Sequence, residues 1–101
     1  EGTTYSIGEV TLNGSNSINI NVQSTDSYYK NSDDDGITVK DINGNDITNK
    51  VKIYYTIYKN GEVISSNSTK FSISLQSAAT YKIEYSVEGY DQKLERTINV
   101  Q

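Results

Sequence analysis

Apolar and polar residues take turns along most of this chain. Ile18, Ile20 and Val22 alternate with Ser17, Asn19, Asn21 and Gln23, and Ile37 and Val39 alternate with Thr38 and Lys40. Val51, Ile53, Tyr55 and Ile57 share one parity, Phe71, Ile73 and Leu75 another, and Tyr81, Ile83, Tyr85 and Val87 the clearest of all. A period of two puts successive side chains on opposite faces of a strand, so each run predicts a half-buried β-strand with its oily side turned to a core. The last run, Leu94, Ile98 and Val100, includes Arg96 on the apolar parity. That arginine is expected at a bulge, near an edge, or paired with a carboxylate, because an unpaired buried charge is costly.

Turn signals fall between the runs. Asn13-Gly14 ends a first strand around Tyr5 to Leu12, Gly89 separates the last two strands, and Asn43-Gly44 and Asn60-Gly61 suit the centre of type I′ hairpin turns. Seven or eight short, one-sided strands imply two antiparallel sheets packed face to face, an all-β sandwich of one domain over residues 1–101. The one long loop, Ser24 to Gly36, is acidic.

Composition strengthens this picture. Ile occurs 12 times against 3 Leu and 2 Ala, a balance that suits pleated surfaces and not helices. With no Cys and no His, disulfides, thiolate or imidazole metal sites and Ser-His-Asp triads are excluded. A net charge of −4 argues against nucleic acid as a partner. No stretch approaches the roughly 20 apolar residues of a spanning helix, so membrane insertion is not expected. A chain that opens on Glu1 and contains no Met is expected to be an excised segment of a larger protein.

The segment Asp41-Ile-Asn-Gly-Asn-Asp-Ile-Thr-Asn-Lys-Val51, followed by Ala79-Thr-Tyr-Lys-Ile-Glu-Tyr-Ser-Val87 and Arg96-Thr-Ile-Asn-Val100, resembles the bacterial immunoglobulin-like domains of Gram-positive surface and secreted proteins. The resemblance covers residues 35 to 101 and departs from the family pattern at Ala79, where glycine is usual, and at Gly89-Tyr90-Asp91. It implies an immunoglobulin-like β-sandwich of about seven to eight antiparallel strands. It also implies a non-catalytic accessory module, extracellular or on the bacterial cell surface, that spaces or presents the neighbouring domains of its parent, with cell adhesion as the setting.

Three constellations carry candidate chemistry. Asp41 to Asp46 imitates a calcium loop, but Asp46 stands where the EF-hand needs Gly and Lys52 where it needs Glu, so a capped turn is expected there. Asp33, Asp34 and Asp35 are the better Ca2+ candidates, given a distant carboxylate folding close. Among nine tyrosines, parity assigns Tyr55, Tyr81 and Tyr85 to the core, and leaves Tyr54 and Tyr58 on the outer face of one strand with Tyr28 and Tyr29 on the acidic loop. These four could bind a glycan or a host or cell-wall protein. Glu84 and Glu88 alternate outward with Lys82 along one strand and read as a solvated charged face, which gives no reason to expect an enzyme or a resident cofactor. A monomer is expected, and assembly through an edge strand is the weaker alternative.

Overall fold

The computed structural model describes residues 5–101. It is all-β and sandwich-like, with nine strands: β1 (Ile7–Leu12), β2 (Ser17–Ile20), β3 (Tyr28–Lys30), β4 (Ile37–Asp41), β5 (Ile53–Lys59), β6 (Glu62–Ser68), β7 (Ser72–Ser74), β8 (Ala79–Val87) and β9 (Leu94–Val100). A single 3-10 turn, Thr48–Lys50, is the only helical element among the described residues.

Five strands form the large sheet in the order β2-β9-β8-β5-β6. Two smaller pairs, β1-β4 and β3-β7, complete the molecule. The inward side chains of all three sheets meet in one core: Ile57, Tyr81, Ile83, Tyr85, Val87, Ile98 and Val100 from the large sheet, Ile37 and Val39 from β4, and Ile73 from β7, with Phe71, Leu75 and Ile47 closing its margins. Burial of each such side chain stabilises the fold by roughly 1.5–3 kcal/mol. The alternation read from the sequence holds in β4, β7, β8 and β9, but it blurs in β5, where Ile53, Tyr54 and Tyr55 are all half-buried and Thr56 is buried beside Ile57.

Several expectations need correction. The sheets are not wholly antiparallel: β2 runs parallel to β9, pairing Ser17 with Thr97 and Ile20 with Val100. Val22 lies past the end of β2 and is 41% exposed, so the inward stripe of that run stops at Ile20. Within the acidic loop, Tyr28 and Tyr29 form the short strand β3 against β7. The Asn60-Gly61 hairpin has positive φ at both residues, as type I′ requires, whereas at Asn43-Gly44 only the glycine does. Asp41 instead organises that second turn, accepting the N–H groups of Asn43 and Asn45 at 2.9 Å each.

The chain enters by β1, which pairs antiparallel with β4 from Ile7 opposite Asp41 to Leu12 opposite Ile37. It then crosses near Arg96 and continues as β2 beside β9, where Gln101 N–H donates to the Ile20 carbonyl. The N-terminal segment thus belongs to two sheets in turn.

Candidate functional site

The most elaborate constellation centres on Arg96. Its place on β9 aims it into the core, and its side chain is fully buried. Nε lies 2.9 Å from Asp34 Oδ1 and donates at 3.0 Å to the Tyr85 hydroxyl. The terminal nitrogens donate to three backbone carbonyls: Ser15, Asn13 at 2.8 Å, and Gly36 at 3.3 Å. Asp34 is equally engaged. The Tyr29 hydroxyl donates to its Oδ1 and the Tyr85 hydroxyl to its Oδ2, both at 2.5 Å, and Gly36 N–H donates to Oδ2 at 3.0 Å.

Burial is the largest cause pushing the Tyr29 and Tyr85 phenols far above the usual tyrosine range, and the hydrogen bond each gives to the Asp34 carboxylate adds to it. Burial works against the Arg96 charge, but the Tyr85 hydroxyl and Asp34 more than offset this and raise the guanidinium further. No buried side-chain polar atom lacks a partner among the described residues. An arginine, a carboxylate and two un-ionised phenols that satisfy one another offer no free base or nucleophile. The arrangement ties together β9, β8, β3, the turn before β4 and the β1 to β2 crossover.

The acidic candidates separate accordingly. Asp34 is taken up by Arg96 and the two tyrosines, Asp33 accepts the Lys30 N–H at 3.0 Å, and the Asp35 carboxylate turns toward Gly14. Among the described residues, no three acidic side chains gather as a cation site would need.

Nor do the four tyrosines form one surface. Tyr29 points inward, with its ring 6.2 Å from that of Phe71, and Tyr28 is exposed on β3. Tyr54 and Tyr58 sit on the outer face of the large sheet, about 13 Å apart at the usual rise. A groove of about 300 Å3 opens beside Tyr58, Lys82, Thr80 and Thr97. The Lys82 ammonium stands 4.3 Å over the Tyr58 ring while Lys82 also pairs with Glu95 at 3.3 Å, so one face of that ring is already covered.

A second groove, of about 450 Å3, was not foreseen. It opens between β6 and β7 and is lined by Ile57, Ile64, Ser65 and Phe71 with Lys30 and Lys70. The run Glu62 to Ser68 that forms β6 is too polar to show a strand period, and of its residues only Ile64 and Ser65 reach the groove. Comparison of the chain with known protein families, with curated proteins and with solved structures returns no match.

Proposed function

We propose that the chain is a non-catalytic immunoglobulin-like module that spaces and presents neighbouring domains of an exported bacterial surface or secreted protein. One observation carries this reading: the two ends of the described chain lie on opposite sides of Arg96. β1 approaches the arginine from Ile7 to Asn13, and β2 then leaves it alongside β9 toward Gln101. At about 3.3 Å per residue each arm spans most of half the molecule, whose extents are 46 × 25 × 21 Å. Load applied at Ser6 and Gln101 would pass along β1 and β9 and shear the ladders, which places many hydrogen bonds under tension together. The strand order β9-β8-β5-β6 corresponds to the G-F-C-C′ order of immunoglobulin sandwiches, which supports the fold-family assignment. The fully matched Arg96 network suits a rigid spacer better than a reactive cleft.

Scattering from two copies joined end to end tests the proposal. The longest dimension should grow by close to the 46 Å axis of one copy; a tandem folded side by side would overturn it. A second reading, glycan or protein binding through the half-buried outer-face tyrosines Tyr54 and Tyr58, is favoured by the groove beside Tyr58. It requires saturable amide shifts at Tyr54 and Tyr58 during titration with a glycan library, and a flat titration removes it.

A further inference from the structure

The groove between β6 and β7 owes its shape to an irregularity of the sheet. Tyr58 of β5 pairs with Val63 and Ile57 pairs with Ser65, so two steps of β6 answer one step of β5 and Ile64 is left unmatched. A second register shift follows between Tyr55 and Ile57, where Asn67 has φ 49° and its N–H donates to Thr56 Oγ1 at 3.1 Å. Bulges re-aim side chains and open a ladder locally. Here the unmatched Ile64 stands 53% exposed at the groove, above a floor of Ile57 and Phe71, which are 1% and 6% exposed. β6 pairs with nothing on its far side among the described residues, so its outward backbone groups are open to another strand.

Charge narrows the occupant. In a chain of net charge −4, both ionisable side chains lining this groove are lysines, Lys30 and Lys70. Neither forms an ion pair among the described residues. The nearby Asp33 carboxylate is turned to the Lys30 backbone. A neutral sugar would make no use of two ammonium groups, and the one aromatic ring lining the groove, Phe71, is too buried for a sugar to stack on. A second copy of this acidic chain is disfavoured by its own charge. We infer that the groove receives an extended peptide segment that presents apolar residues flanked by Asp or Glu at every second position, on the one face turned to the groove. Its apolar side chains would sit on Ile57, Ile64 and Phe71 and its carboxylates on Lys30 and Lys70, with β6 offering backbone hydrogen bonds.

The test uses isotope-labelled protein at low salt and two capped synthetic peptides of about eight residues, each with Val at the central positions of one face and Ser between, and with either Glu or Lys at the outer positions of that same face. The Glu peptide should produce saturable shifts at Ile64, Ser65, Lys70 and Ser72, and the Lys peptide should not. Added salt should weaken the complex. Lys30→Glu combined with Lys70→Glu should weaken it by about tenfold or more, and Ile64→Ser should weaken it while leaving the spectrum of the free protein dispersed. Equal response to both peptides, shifts confined to other faces, undiminished binding by the folded variants, or sedimentation showing dimers joined through β6 would each overturn the inference.

Discussion

Arg96 and Asp34, on β9 and in the loop before β4, form an ion pair 2.9 Å long whose two side chains are 0% and 1% exposed. Breaking such a pair from one side leaves a charge in the core with nothing to compensate it. Asp34→Ala should therefore cost about 3–5 kcal/mol, read by denaturant unfolding. Arg96→Met should cost at least as much, because it also strands the carbonyls of Asn13, Ser15 and Gly36. The double variant should be less destabilised than the sum of the singles, with a coupling on the order of 1–3 kcal/mol. Strict additivity would mean that the two groups act independently and that the network has been misread.

The two phenols that donate to Asp34 set the alkaline limit of the fold. Both have folded-state values raised above the ordinary tyrosine value of 10.0, first by burial and then by Asp34, and burial raises Tyr55 in the same direction. A raised value stabilises the protein fully below the unfolded-state value, and that contribution is lost as pH climbs above it. Stability should be level up to about pH 10 and fall steeply beyond, with tyrosinate absorbance appearing together with unfolding. Tyr85→Phe and Tyr29→Phe should each lower stability at neutral pH by roughly 1–3 kcal/mol through the lost bond to a buried carboxylate, and each should flatten the alkaline fall. Tyr85→Phe should cost more, since its hydroxyl also accepts from Arg96.

The sequence makes Arg96 conspicuous because parity is a local property. An arginine in phase with Leu94, Ile98 and Val100 must face the core, and from that alone a carboxylate partner follows as one of few solutions. Which carboxylate is a question of long-range chain path. Asp34 stands between two other aspartates in a loop with no period, and nothing local distinguishes it from Asp33 or Asp35. Tyr29 is hidden for the same reason: a strand of three residues is too short to show alternation. The parallel pairing of β2 with β9 also escapes, since its four residues alternate as an antiparallel strand would. The β6 groove depends on two bulges, and a bulge changes register without leaving a mark on composition.

Gly8 illustrates a constraint that composition conceals. It is the unmatched residue between Ile7, opposite Asp41, and Glu9, opposite Lys40. A methyl group at this position would lie 2.7 Å from the Asp41 carbonyl oxygen and 2.9 Å from the Ile42 Cα, both backbone atoms with little freedom to yield. Gly8→Ala should destabilise the protein by about 1–3 kcal/mol. Amide exchange should quicken first at Ile42, whose N–H donates to Ser6, rather than in β8. Wild-type stability in that variant would show that the close approach is not enforced.

Asp41 governs the acid limb from the other side of the same contact. Hydrogen bonds from the Asn45 backbone, from its side chain and from the Asn43 backbone hold its carboxyl below the ordinary 3.8. The Thr48 hydroxyl and backbone do the same for Asp46. A lowered value stabilises the fold above the unfolded-state value and the contribution disappears as pH falls through the folded-state one. Stability should therefore be insensitive to these groups from neutral pH to about 5, then decline below 3.8 as the turn from Asp41 to Thr48 loses its acceptors. Asp41→Asn should remove part of that decline and lower the neutral plateau by the same modest amount, because a neutral amide oxygen accepts the two backbone N–H groups more weakly than a carboxylate does. Unfolding followed by pH, with carboxyl shifts read in parallel by NMR, checks both statements. An acid limb identical in the two proteins would assign the effect to other carboxylates.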